Sequence, residues 1–140
     1  RRRIHRRMRE RIAIIGAGLM GSGLAAVFAM GGHAVRVTDA VPASLDSLGQ
    51  RMAGILQSIR QPTEFAASVE AVASLAEAVA GADVVVEAAP EKLELKQELF
   101  AQIEAAAPAT AILASNTSVI PIGKVMASAP SGPCFGPMPK

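Results

Sequence analysis

Short apolar runs alternate along the chain with longer stretches whose apolar residues recur at helical spacing. The runs are rich in Val and Ile, which is typical of buried strands, whereas the stretches have the length and periodicity of helices. The predicted strands are Arg11–Ile15, Ala34–Thr38, Ser68–Ala73, Asp83–Ala88 and Thr110–Ala114. The predicted helices are Leu19–Met30, Pro42–Ser58, Leu75–Ala80 and Glu91–Ala106.

This alternation predicts an α/β fold with a doubly wound parallel sheet of the Rossmann type. Near-continuous apolar strands belong to sheets covered on both faces, and right-handed crossovers place the helices there. Ligands of such sheets bind at the carboxyl ends of the strands. We expect one domain over residues 11–126, between a basic head at 1–10 and a tail at 127–140. The tail has four prolines and two glycines in fourteen residues, so we expect it to be disordered, with neither strand nor helix.

Composition narrows the function classes. The chain is 51% hydrophobic and 19% charged, a globular balance. Its net charge of +2 is misleading, because seven of its fourteen basic residues lie in the first eleven positions. From Ile12 onward the net charge is −4, which argues against a nucleic-acid partner. The head could be a nucleic-acid or membrane arm or a targeting peptide, but we favour a disordered start before Met8 as initiator.

Cysteine content and hydropathy bear on the compartment. A single cysteine, Cys134, excludes an internal disulfide and a cysteine metal cluster, so we expect no metal site. No apolar run reaches the roughly 18 residues of a membrane span, so no membrane partner is expected. A reducing, cytoplasmic setting fits these features best.

The first predicted strand is followed by a glycine-rich loop with the pattern GxGxxG, from Gly16 to Gly21. The pattern alone is weak, but here it joins a strand to a helix, which is the context of a dinucleotide-binding turn. Gly16 would allow the tight turn, Gly18 would leave room for the pyrophosphate, and Gly21 would let the helix pack on the strand. The whole loop is therefore predicted to bind the cofactor: Gly16, Ala17, Gly18, Leu19, Met20 and Gly21. A purely structural glycine turn is the alternative.

Asp39 ends the second predicted strand, about 20 residues beyond the loop, where an acid hydrogen-bonds the adenosine ribose hydroxyls. A carboxylate there would also repel the additional phosphate of NADP, so the sequence favours NAD. The alternative is that Asp39 is a helix N-cap.

Three segments carry a family resemblance: IAIIGAGLMGSGLAAVFAMGGHAVRVTD, DVVVEAAPEKLELKQELF and ILASNTSVIPI. On these segments the chain resembles the NAD-binding domain of 3-hydroxyacyl-CoA dehydrogenases and of their relatives that act on carnitine and gulonate. The resemblance covers residues 11–126. GAGLMG is shared with other dehydrogenases, whereas the second and third segments together are far more specific.

The resemblance implies roles for four further residues. Glu91 and Lys96 match residues near the cofactor, and Asn116 matches one near the nicotinamide ribose. Ser118 matches the catalytic serine that contacts the substrate hydroxyl or carbonyl. Their alternatives are a first-turn helix acid for Glu91, a solvent-exposed pair for Lys96, and turn or capping residues for the other two. Glu87, a carboxylate within an apolar strand, is left outside the catalytic set.

The implied reaction is hydride transfer between NAD and the 3-hydroxy group of a 3-hydroxyacyl-CoA or a similar small hydroxy acid, as in fatty acid metabolism. The family's general base is a histidine that follows the serine, in a stretch like HxxNP. The corresponding window, Phe135–Lys140, has no histidine. We therefore expect a truncated or frameshifted chain that lacks the C-terminal helical domain and is inactive alone. The full-length enzyme could be a homo-oligomer.

Rival hypotheses are a non-catalytic nucleotide-binding or regulatory module, a flavoprotein, and a 3-hydroxyisobutyrate-type dehydrogenase. The SNTS segment argues against the two enzyme alternatives, whereas the non-catalytic module would be distinguished by a natural partner chain that supplies the helical domain. Residues 46–60, where CoA contacts are expected, have only two basic residues, Arg51 and Arg60. NAD binding is therefore better supported than CoA binding.

Overall fold

Parallel strands form a single sheet in the computed structural model, which describes residues 9–116 and 134–135. In chain order the strands of this part are β1 Arg11–Ile15, β2 Ala34–Thr38, β3 Val69–Ala71, β4 Val84–Glu87, β5 Ile112–Ser115 and β6 Cys134–Phe135. Their order across the sheet is β3-β2-β1-β4-β5-β6, and every neighbouring pair is parallel. The predicted doubly wound Rossmann fold is confirmed.

The register aligns the carboxyl ends of the four central strands. Ile15 of β1 is opposite Thr38 of β2 and Glu87 of β4, and Glu87 is opposite Ser115 of β5. The residues that follow these four positions therefore meet at one edge of the sheet. The chain order reverses between β1 and β4, which makes their junction the switch point where such sheets bind ligands.

Helices cover both faces of the sheet. They are α1 Leu19–Met30, α2 Pro42–Asp46, α3 Leu48–Ser58, α4 Leu75–Val79 and α5 Leu93–Ala106. Alternate residues of β1 point to opposite sides, so Ile12 and Ile14 pack towards α1 and α3, whereas Ala13 and Ile15 pack towards α4 and α5. No helix of the described ranges is long and apolar enough to cross a membrane.

The predicted helix over residues 42–58 is wrong in one respect, because the structure divides it at Ser47 into α2 and α3. The Ser47 hydroxyl donates to the carbonyl oxygen of Ala43 at 3.0 Å. A serine that hydrogen-bonds four residues back in this way bends a helix. A short 3₁₀ helix, Thr63–Ser68, also precedes β3 and was not predicted.

The expectation of a tail without regular structure is wrong for Cys134 and Phe135, which pair with Leu113 and Ala114 of β5. The unpaired outer edge of β5 offers backbone groups that an extended segment can bond, whatever its local composition. The other tail residues, the head up to residue 8 and Ser118 lie outside the described residues.

Candidate nucleotide-binding site

Two glycines of the loop after β1 are required by the fold itself. Gly16 has a φ of +119°, and a Cβ there would lie 2.6 Å from the carbonyl oxygen of Ala88, which follows β4. A Cβ on Gly21 would lie 1.8 Å from the carbonyl oxygen of Gly16. Gly16 thus adopts a positive φ in the predicted turn and also allows the end of β4 to approach, which was not predicted, and Gly21 allows α1 to pack closely beneath the turn.

Gly18 is different, because no atom of the described residues, its two chain neighbours aside, lies within 4 Å of a Cβ built there and its φ of −75° suits any residue. It is the N-cap of α1, where the first backbone amides of the helix lack partners within the helix. The open space in front of these amides and the positive end of the helix dipole fit a phosphate group. The loop therefore fits the pyrophosphate of a dinucleotide.

Asp39 follows β2 and holds the loop from the side. Its carboxylate accepts the amide hydrogen of Ala17 at 2.7 Å and that of Val41 at 2.8 Å. The alternative N-cap interpretation is wrong, because α2 is capped by Val41. The carboxylate lies beside the loop at the end of β2, which is the place where an acid can reach a ribose.

A crevice of about 1160 Å³ opens at this edge of the sheet. Seven of the predicted site residues line it: Gly16, Gly18, Leu19, Met20, Asp39, Glu91 and Asn116. Ala17 and Lys96 are buried behind its wall, and Gly21 is buried beneath the loop. Leu19 and Met20 are 73% and 55% exposed, so apolar side chains flank its opening. The structure thus brings ten of the eleven predicted site residues to one edge, and Ser118 lies outside the described part.

A buried polar network joins the ends of β4 and β5 to α5. The ammonium of Lys96 lies 2.7 Å from a carboxylate oxygen of Glu87, and both side chains are fully buried. The Ser115 hydroxyl donates to the other carboxylate oxygen of Glu87 at 2.5 Å, and the Ala89 amide donates to the first at 2.6 Å. Lys96 also donates to the Ala89 carbonyl at 3.0 Å. Buried charges persist only when they are paired and hydrogen-bonded, and these are.

This network reaches the crevice at Glu91 and Asn116. Lys96 lies 3.5 Å from a carboxylate oxygen of Glu91, which precedes α5 rather than belonging to its first turn. The backbone amide of Asn116 donates to the backbone carbonyl oxygen of Glu87 at 2.7 Å, so Asn116 continues the β4–β5 pairing. The alternative of a solvent-exposed pair for Lys96 is wrong. Glu91 instead lies beside the buried Lys96 ammonium, and Asn116 is held by the backbone of Glu87.

Three residues of the site were not predicted from the sequence. Glu87 and Ser115 form the buried network, and the unusual carboxylate in an apolar strand was the signal for the first. Arg51 on α3 donates from Nε to the Ser22 hydroxyl at 3.0 Å, and from Nη2 to the carbonyl oxygens of both Ala17 and Ser44. Nothing in the local sequence connects Arg51 to the loop. Among the described residues no cluster of side chains could hold a metal ion.

Comparison with known proteins agrees with this geometry. Residues 11–133 match the family model of the 3-hydroxyacyl-CoA dehydrogenase NAD-binding domain. An L-carnitine dehydrogenase/betainyl-CoA thioesterase of Agrobacterium fabrum is 40% identical over 112 residues, 77% of this chain and 23% of that protein. A probable 3-hydroxyacyl-CoA dehydrogenase of Caenorhabditis elegans is 33% identical over 127 residues, 81% of this chain and 41% of that protein.

A solved structure shows the same relation in three dimensions. The crystal structure of Mycobacterium tuberculosis FadB2 superposes with a TM-score of 0.82 at 29% identity, covering 93% of this chain and 49% of that one. The chain thus spans less than half the length of these relatives. It belongs to the 3-hydroxyacyl-CoA dehydrogenase family and forms the NAD-binding domain of that family.

Proposed function

We propose that the crevice binds NAD in one orientation, with the adenosine ribose at Asp39, the pyrophosphate at Gly18, and the nicotinamide half towards Glu91 and Asn116. The observation that carries the proposal is Gly18. It is the loop glycine that the fold itself does not require, and it faces open space at the amino end of α1. The carboxylate of Asp39 beside it favours NAD over NADP.

We propose further that the reaction of the whole enzyme is the oxidation of a 3-hydroxy group of an acyl-CoA or a similar small hydroxy acid. NAD, when bound, supplies the hydride acceptor. Ser118 would contact the substrate oxygen; in the sequence it follows the end of β5 by three residues and Asn116 by two. Lys96 and Glu87 would keep Glu91 and Asn116 in place. Both carnitine and 3-hydroxyacyl-CoA are candidate substrates, since the similar proteins are named for them.

For the 140 residues themselves we propose cofactor binding without turnover. The two histidines of the sequence are His5 and His33, and both precede Ser118. His33 comes immediately before β2, at the edge of the sheet opposite the crevice, with Nδ1 3.8 Å from a carboxylate oxygen of Glu10. A general base near Ser118 must therefore come from another group.

We also propose a reducing, cytoplasmic compartment for this chain, because its sequence has a single cysteine.

Cofactor choice is tested by calorimetric titration of the folded protein with NADH and with NADPH. We expect saturable NADH binding and much weaker NADPH binding, because Asp39 would face the additional phosphate. In the variant Asp39→Asn the difference between the two cofactors should shrink, whereas Asp46→Asn, an exposed acid of α2, should leave it unchanged. Absence of NADH binding, or equal binding of both cofactors by the unaltered chain, would contradict the proposal.

Turnover is tested by incubating the chain with NAD and either 3-hydroxybutyryl-CoA or carnitine while following absorbance of NADH. We expect no reduction above the protein-free background, because the chain has no histidine after Ser118. Steady turnover with either substrate would show that another group supplies the base and would refute this part of the proposal.

A further inference from the structure

Arg51 holds the middle of the glycine-rich loop from the side opposite Asp39. Ala17, which is fully buried, donates its amide hydrogen to Asp39 at 2.7 Å and presents its carbonyl oxygen to Arg51. One residue of the loop is thus fixed at both ends of its backbone by charged side chains from two other elements. Hydrogen bonds that involve a charged partner are the stronger ones, and both belong to this kind.

The remaining donors of Arg51 bind groups around the same loop. Nε donates at 3.0 Å to the hydroxyl of Ser22, which itself donates at 3.3 Å to the Ala17 carbonyl. A terminal nitrogen donates to the Ser44 carbonyl at 2.6 Å, and another donates to the Ser47 hydroxyl. The planar guanidinium therefore joins the start of α1 to the bend between α2 and α3, and lysine has no such planar fork.

Every one of these acceptors is neutral. Arg51 makes no ion pair with a carboxylate within residues 9–116, although other arginines of this part, such as Arg11 and Arg36, do. A partly buried cation beside the loop is then left without a compensating anion from these residues. The pyrophosphate of a dinucleotide would supply negative charge next to it, at the open space before Gly18.

We infer that Arg51 is a positioning residue for dinucleotide binding, which acts through the carbonyl of Ala17 and adds positive charge to the phosphate loop. This inference rests on the proposed NAD binding. It gives the bend at Ser47 a function, because the bend brings Ser44 and Ser47 within reach of the same guanidinium as the loop.

The test measures NADH affinity by calorimetry and the thermal midpoint for the full chain, with Arg51→Met, Arg51→Lys and the control Arg36→Met. Arg36 also binds a carbonyl oxygen and a side chain, those of Glu77 and Glu70, but at a distance from the loop. We expect Arg51→Met to weaken NADH binding by about tenfold or more, the effect of losing one charge-assisted hydrogen bond. Arg51→Lys should recover part of this loss, and Arg36→Met should bind within about twofold of the unaltered chain.

The inference is overturned if Arg51→Met binds NADH within about twofold of the unaltered chain. It is also overturned if Arg36→Met loses as much affinity, since the loss would then follow from general destabilisation. Should Arg51→Met fail to fold, Arg51→Lys decides: a loss of about threefold or more supports the inference, and a smaller one overturns it. If the unaltered chain binds no NADH, the proposed function itself has failed, which is a distinguishable result.

Discussion

At the scale of single residues, each of the three glycines of the loop stands at its position for a different reason. Gly16 and Gly21 are explained by backbone atoms that a Cβ would strike, so the fold alone requires them. Gly18 has open space around it among the described residues and an ordinary φ, so the described fold does not require a glycine there. In this loop the folding requirement thus falls on Gly16 and Gly21, and the proposed binding requirement falls on Gly18.

Replacement of Gly18 by alanine should separate these two requirements. We expect Gly18→Ala to change the free energy of unfolding by less than about 1 kcal/mol, the range for a change of N-cap residue. Its NADH affinity should fall by about tenfold or more, because the new methyl group occupies the place of the phosphate. Urea denaturation and calorimetry measure the two quantities.

Gly23→Ala provides the matched control, since Gly23 lies within α1 and, beyond the backbone of its own helix, no atom of the described part of the chain lies within 4 Å of a Cβ built there. It should stabilise the fold by about 0.5–1 kcal/mol and leave NADH affinity unchanged. Unchanged NADH affinity in Gly18→Ala would mean that the phosphates do not approach this glycine.

At the scale of secondary-structure elements, the buried ion pair of Glu87 and Lys96 links α5 to the carboxyl ends of β4 and β5. The two groups come from a strand and a helix, and Ser115 adds a third element. Such a pair contributes little net stability compared with apolar packing, yet the loss of one partner is costly because a charge stays buried alone. Its value lies in the fixed positions of Glu91 and Asn116 at the crevice.

We expect Lys96→Met to lower the free energy of unfolding by about 3–5 kcal/mol, because it leaves the Glu87 carboxylate buried without its cation. The double variant Glu87→Gln with Lys96→Met should be more stable than Lys96→Met alone, since no buried charge remains. Lys92→Met, at the exposed N-cap of α5, should have little effect. Urea denaturation measures all three, and a double variant that is less stable than Lys96→Met would contradict this account.

At the scale of the whole molecule, the site exists because the strand order reverses between β1 and β4. The loops after β1 and β2 form one wall of the crevice, and the residues after β4 and β5 form the other. The groups proposed for the adenosine and pyrophosphate half, from Gly16 to Asp39, all lie within the described part. All of the groups proposed for that half are therefore present in this chain.

It follows that ADP-ribose, which lacks the nicotinamide, should stabilise the chain nearly as well as NADH. A ligand that binds only the folded state adds about 2.7 kcal/mol when present at a hundred times its Kd. We expect both ligands to raise the thermal midpoint, and adenosine, which has no phosphate, to raise it much less at equal concentration. A shift with NADH but none with ADP-ribose would mean that the nicotinamide half supplies most of the binding.

The sequence by itself determined the local features of this protein. Hydrophobic periodicity placed β1, α1, β2, β4 and α5 to within a few residues, because their apolar patterns are long and regular. The glycine loop and Asp39 were predictable, because a tight turn and a strand end are specified by neighbouring residues. The position of β4 next to β1 is not specified by any local pattern and was not predicted.

Only the tertiary structure decided which charges are buried together and which loops touch. The carboxylate of Glu87 in an apolar strand is unusual, but nothing local names Lys96 as its partner, and their pairing depends on the way α5 packs against β4. The contact between Arg51 and Ala17 joins residues separated by 34 positions, and it requires the bend at Ser47. The strand Cys134–Phe135 likewise follows from the open edge of β5 and not from its own composition. These features depend on distances between elements, which a linear pattern of hydrophobic and polar residues does not specify.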